Sequence, residues 1–243
     1  MNMVRDGLKD KAFFEESILK RKKLIQETLI DLKNNEIKKE QIAPTNRTLY
    51  NFSLRTVFCA YSAGYTIEKV REYFAELLVM LDRKENDWEN YIGEEENMGP
   101  YHVRDIVAVL SLAVLLDATK EQVEILVKHV NFDPKRHRLL DYFLSYLDKD
   151  IDLGELTGDE YAFKELTAMI DLSNDEIVSK KLMDKYLKTW FKSRDRVVMH
   201  GVHAFNPNNY IGYWSFETAA FVKMRGLDDS SFRDNVYYPK DLL

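Results

Sequence analysis

The chain has 243 residues, of which 45% are apolar and 31% charged, enough to bury a substantial core in one large domain or two small ones sharing an interface. Nine Gly and five Pro are too few turn formers for an all-β protein with many short strands. A net charge of −6 argues against a nucleic-acid binder, whose footprint is basic, and favours an acidic surface facing a basic partner.

Residues 6–34 are predicted as one long amphipathic helix, with Phe13, Phe14, Ile18, Leu24, Ile25, Leu29 and Leu32 near helical spacing. The basic run from Lys20 to Lys23 falls on its polar side and reads as a solvated face, because no aromatic platform is interleaved with it. A linker with Pro44 precedes a second helix from about Thr45 to Ala63, which Gly64 breaks. Cys59 stands alone among apolar neighbours, so it reads as a small core residue. A single cysteine forms no disulfide framework and points to a reducing compartment. The opening residues lack an apolar stretch of signal-peptide length, and no run of eighteen apolar residues follows. A cytoplasmic chain without membrane attachment is therefore expected.

Thr66, Thr119, Ser173 and Asp228 each resemble a helix N-cap following an apolar run, at separations of 53, 54 and 55 residues. Thr119 with Gln122 and Ser173 with Glu176 also have capping-box spacing. The recurrence predicts an all-α fold of stacked helix pairs, in which neighbours cover each other's apolar faces. An N-terminal half over 1–100 and a C-terminal half over 101–243 are expected to form one continuous body with negligible strand.

Two segments concentrate the acid. Residues 82–96 carry seven carboxylates against two cations, and residues 148–160 carry six against one, so each has a local charge of −5. Carboxylates clustered in this way repel one another unless a partner offsets them. Asp148, Asp150, Asp152, Glu155, Asp159 and Glu160 are the leading partner-contact candidates, because Gly154 and Gly158 mark a loop between helices. Glu94, Glu95 and Glu96 are the secondary candidates, in a run that continues the helix from Thr66. A calcium loop fails in register: Leu153 occupies the tight-turn position that needs Gly, and Asp159 stands where the closing Glu belongs.

His200 and His203 are one turn apart if helical, with Asp195 near, which opens the alternative of a metal-dependent helical hydrolase. Asn206-Pro207 breaks that helix and no His-Glu-x-x-His arrangement supplies a base, so no metal or other cofactor is expected. The chain also offers no Ser elbow, no Cys with a nearby His and no Gly-rich phosphate loop. A binding protein without catalysis is the expected class, and a general helical-repeat adaptor is the second alternative.

From Asn206 onward, Tyr210, Tyr213, Trp214, Phe216, Ala219, Ala220 and Phe221 recur at three- and four-residue spacing and predict a buried helix, ended by Gly226 as a left-handed cap. Asp228 to Ser231 supply oxygens able to cap a short following helix, which Tyr237-Tyr238-Pro239 stops. Glu217 does not fit a plain core helix. A buried carboxylate needs partners, and a cation or donor from Arg194 to His203, with His200 foremost, is the expected source.

The run Tyr210-Ile-Gly-Tyr-Trp-Ser-Phe-Glu-Thr-Ala-Ala, followed by Gly226-Leu-Asp-Asp-Ser-Ser-Phe-Arg-Asp and Tyr237-Tyr-Pro-Lys-Asp-Leu, resembles the C-terminal signature of the PoNe-type immunity proteins (PoNi). The segment from Tyr101 to Leu116 resembles that family's central apolar helix more weakly. The resemblance implies a bacterial immunity protein that binds and neutralises a cognate DNase toxin in interbacterial competition, with no direct contact to nucleic acid. Within that signature, Tyr213, Trp214, Glu217, Asp228 and Asp229 are expected to be structural.

Overall fold

The structure is a computed structural model that describes residues 3–88, 100–130, 138–153, 163–171, 176–193 and 196–243. Among these residues the α-helices are α1 (Lys11–Lys33), α2 (Ile42–Ser62), α3 (Ile67–Trp88), α4 (Pro100–Leu115), α5 (Lys120–Val130), α6 (Arg138–Leu147), α7 (Lys164–Asp171), α8 (Glu176–Trp190), α9 (Val202–Phe205) and α10 (Phe216–Arg225). No strand occurs among them, and the fold is all-α. No described helix is long and apolar enough to cross a membrane.

Contacts divide the chain into two compact units. The described residues from 3 to 88 join Gly201–Gly212 in the first, and those from 100 to 200 join Tyr213–Leu243 in the second.

In the first unit α2 packs against both α1 and α3. Its buried side chains include Leu49, Leu54, Val57, Phe58 and Tyr61, while α3 contributes Val70, Phe74, Leu77, Leu78 and Leu81. Fully burying one such side chain stabilises by about 1.5–3 kcal/mol, so this three-helix seam dominates the unit. Helix α1 begins later than its apolar pattern suggests, because Asp10 accepts a hydrogen bond from Phe13 N at 2.9 Å and sets the N-cap there. Helix α2 begins earlier than expected: Pro44 sits inside its first turn, where a missing N–H breaks no intrahelical bond.

The Lys20 to Lys23 run is not uniformly solvated. Arg21 is buried and donates to Ser17 O at 3.2 Å and to Cys59 Sγ at 3.4 Å. Cys59 is fully buried as expected, and desolvation pushes its thiol up to about 11 despite the neighbouring guanidinium. At the far end of α2, Gly64 adopts φ 77°, and a Cβ there would lie 2.0 Å from the Met3 carbonyl oxygen. That close approach lets the Arg5 guanidinium reach Tyr61 O and Tyr65 O, both at 2.9 Å, and satisfy carbonyls at the helix end.

In the second unit α4 packs against α6 and α10, and every residue from Ile106 to Leu116 is buried. The all-round apolar character of this helix therefore reflects cover on several sides. Thr119 and Gln122 form the expected capping box at the start of α5, with Thr119 N donating to Gln122 Oε1 at 3.0 Å and Gln122 N to Thr119 Oγ1 at 3.4 Å. Thr66 caps α3 through Lys69 N at 3.3 Å. Ser173 lies outside the described residues, and Asp228 caps no helix: turns follow it where a helix was expected.

Candidate functional site

Helix α10 starts at Phe216, so the aromatic residues from Tyr210 to Trp214 are not helical as their spacing suggests. Gly212 has φ 91°, and Ser215 N donates to Tyr237 O at 2.8 Å, a long-range bond that holds the chain extended before the helix begins. Gly226, at φ 62°, ends α10 in the left-handed conformation the sequence predicts.

Glu217 lies in the first turn of α10 and is only 4% exposed. Its Oε1 accepts from Tyr186 Oη at 2.8 Å, from Trp190 Nε1, and from Ser215 Oγ at 2.9 Å. Because the single Ser215 proton is directed at Glu217, the 2.7 Å contact between Ser215 Oγ and Thr218 Oγ1 has Thr218 as donor. Among the described residues the donors thus come from α8 and the adjacent turn, not from the 194–203 segment where they were expected. His200 instead places Nε2 at 2.9 Å from Phe191 O.

All three donors to Glu217 are neutral. Burial pushes its carboxyl above the usual range, while the backbone and the Tyr186, Ser215 and Trp190 hydrogen bonds pull it part of the way back. A cation lies over the Tyr186 ring: the Arg196 guanidinium is 4.5 Å from the Tyr186 ring centroid and donates to Glu165 Oε2 at 2.6 Å. Burial and the neighbouring Glu217 carboxylate raise the Tyr186 phenol as well, so it stays a proton donor.

Around this carboxylate the aromatic signature residues pack on one another. Phe191 stacks on Tyr237 at 5.3 Å and on His200 at 5.1 Å, and meets Tyr213 edge-on at 4.8 Å. Trp190 lies 5.3 Å from Tyr237, and Tyr213 and Trp214 are both buried. Cations in the last turn of α10 reach two other helices: Lys223 donates to Leu115 O at 3.4 Å and Asp117 Oδ1 at 2.6 Å, and Arg225 to Met169 O at 2.8 Å.

Asp228 accepts from Lys180 at 2.8 Å and from Ser230 N at 3.0 Å, which holds its carboxyl down at about 2. Asp229 accepts from Arg233 and, at 3.1 Å, from Tyr238 Oη. Tyr213, Trp214, Glu217, Asp228 and Asp229 are thus all engaged within the second unit.

The acidic candidates have a different environment. Asp148 ends α6 and its Oδ1 accepts from Asp150 N at 3.0 Å, forming a turn. Asp150, Asp152 and Leu153 are exposed beyond it, Leu153 at 45%. Glu155, Asp159 and Glu160 lie outside the described residues, as do Gly154 and Gly158 and the secondary candidates Glu94, Glu95 and Glu96.

The helix that would have aligned the two histidines of the metal alternative does not form, and Asp195 lies outside the described residues. Gly201, at φ 70°, precedes α9, so His200 is in a turn and His203 in the helix, and they share no helical face. His203 meets Tyr210 edge-on at 6.5 Å, and among the described residues no group of three His, Cys, Asp or Glu is placed to hold a metal.

Two family models match the chain: PoNe immunity protein (PoNi), N-terminal, over residues 5–128, and PoNe immunity proteins (PoNi), C-terminal, over residues 135–242. The chain belongs to the PoNi family. The buried, internally bonded cluster around Glu217 lies within the C-terminal PoNi match, and the N-terminal match extends through α1 to α5, which the sequence resemblance barely reached. No curated protein matches the chain. Among solved structures, protein PA2201 from Pseudomonas aeruginosa is similar in fold, with a TM-score of 0.74 and 17% identity over 99% of this chain and 89% of that one.

Tyr186 and Trp190 are not among the residues that the sequence pattern singles out. Their signal was available: Met183, Tyr186, Leu187 and Trp190 are spaced as one buried face of α8, and a buried Tyr or Trp needs a partner for its O–H or N–H.

Proposed function

We propose that this PoNi protein binds a cognate PoNe DNase toxin and neutralises it without catalysis of its own. The observation that carries the reading is the pair of family models, which together span nearly the whole chain. Charge supports it. A nuclease must present cations where DNA phosphates bind, and the net −6 here, concentrated in two segments, suits occupation of such a surface.

The exposed carboxylates Asp150 and Asp152, with Asp148 shaping their turn, are the proposed contact, and Glu155, Asp159 and Glu160 extend it in sequence. Glu94, Glu95 and Glu96 are a second proposed contact. The protein acts in the cytoplasm, where the toxin's DNA substrate lies, and touches neither nucleic acid nor membrane itself. Protection from a lethal enzyme requires tight binding, and a Kd of about 1 nM corresponds to about −12 kcal/mol.

The test is co-purification with the toxin encoded beside this gene, followed by a DNA-cleavage assay with and without the immunity protein. Stoichiometric binding and loss of cleavage are expected. Unimpaired cleavage at saturating immunity protein would reject the reading.

A further inference from the structure

We propose that residues 3–9 form a clasp that holds the Gly201–Gly212 segment in the first unit, with the Asp6–Tyr210 hydrogen bond as its catch. The segment belongs to the first unit, although the residues before and after it belong to the second. Glycines at positive φ stand at both ends, Gly201 at 70° and Gly212 at 91°, conformations that other residues adopt only under strain. Between these hinge points the segment is anchored near its end: Tyr210 and Ile211 are almost wholly buried, and the Tyr210 ring lies 6.1 Å from Phe14.

Tyr210 Oη donates to Asp6 Oδ2 at 2.6 Å in a buried bond, and Ser62 Oγ donates to Ile211 O at 2.8 Å. Asp6 is held for this task. Its other oxygen accepts from Leu8 N at 2.8 Å and Lys9 N at 2.9 Å, while Arg5 N and Asp6 N both donate to Ser62 O, at 2.9 and 3.3 Å. Ser62 is therefore the junction: its carbonyl takes the 3–9 segment and its hydroxyl takes the 201–212 segment. Arg5, bonded to the Tyr61 and Tyr65 carbonyls and 4.5 Å from the Tyr61 ring, fastens the clasp to the scaffold.

The catch joins residues 204 apart in sequence and the Ser62 bond residues 149 apart. The two segments share Ser62 and the Asp6–Tyr210 bond, so the clasp and the 201–212 segment open together as a local cooperative unit while the three-helix seam stays closed. The immunity reading plays no part in this inference.

Hydrogen exchange on the full chain tests it, using Asp6→Ala, Asp6→Asn, Tyr210→Phe and the double variant Asp6→Ala/Tyr210→Phe. Phe keeps the ring packed on Phe14, and Asn keeps one acceptor oxygen for Leu8 N and Lys9 N while its NH2 replaces the oxygen that faces Tyr210, whose hydroxyl can accept from it instead. Exchange within 201–212 is expected to quicken by about tenfold or more in Tyr210→Phe, the size of a lost hydrogen bond to a charged group. Asp6→Asn should quicken it less than Asp6→Ala, and the double variant no more than Asp6→Ala alone. Amides in α2, α8 and α10 should exchange as in the parent. Unchanged exchange in 201–212, additive effects in the double variant, or equal acceleration throughout all helices would each overturn the clasp.

Discussion

Glu217 and the Asp148–Asp152 turn present the same functional group in opposite settings. Glu217 is sealed beneath α8 with three side-chain donors converging on one oxygen, whereas Asp150 and Asp152 are exposed past the end of α6. Both lie within the C-terminal PoNi match over residues 135–242. The difference shows that an acidic residue in an aromatic cluster can be committed to packing, while the carboxylates proposed to meet the toxin are exposed at the surface.

The sharpest break in that comparison is Glu217→Ala. It strands the Tyr186, Trp190 and Ser215 donors in the interior, and unsatisfied buried donors cost about 1–3 kcal/mol each, so a loss of about 3–5 kcal/mol is expected after partial relaxation. Urea unfolding with an unchanged slope would measure it. A loss below about 1 kcal/mol would show that the cluster is not structural.

Glu217→Gln has a smaller and pH-dependent effect. The folded carboxyl is raised above its ordinary 4.5, so its favourable contribution is complete below that value and is lost as pH rises through the folded value. The amide does not ionise and keeps an acceptor oxygen for the three donors. Its stability relative to the parent should therefore improve steadily as pH rises from 4.5, in paired denaturation curves. A difference that stays constant with pH would mean the carboxylate titrates as it does in the unfolded chain.

Asp228 behaves in the opposite sense and more weakly. Its carboxyl is lowered from 3.8 to about 2, chiefly by Lys180, so the interaction is present above 3.8 and disappears as pH falls through about 2. The pair is exposed at the surface. Asp228→Asn should lower the melting temperature slightly at neutral pH, less so in high salt, and match the parent in strong acid.

These contrasts also separate what the sequence discloses from what it conceals. Helix α4 is legible because its residues from Ile106 to Leu116 are apolar on all sides, and the Thr119–Gln122 box is legible because both partners lie within one turn. The start of α10 is not. Tyr210, Tyr213, Trp214 and Phe216 have helical spacing, but the conformation is decided by Gly212 and by a backbone bond from Ser215 to Tyr237. A buried Glu217 follows from its apolar neighbours, whereas two of its three side-chain donors, Trp190 and Tyr186, lie 27 and 31 residues away on another helix. Arg21 conceals itself in the same manner, inside a basic run whose neighbours are surface residues.

The measurement closest to the central claim is binding of the cognate PoNe toxin at two ionic strengths, comparing the parent, Glu217→Gln, and Asp150→Asn/Asp152→Asn. The account predicts that the Gln variant associates at the parental rate, since its change is buried. The double amide variant should remain folded, yet associate more slowly and with a weaker salt dependence. A double amide variant that binds as fast as the parent, beside a folded Gln variant that fails to bind, would contradict it and move recognition to the signature itself.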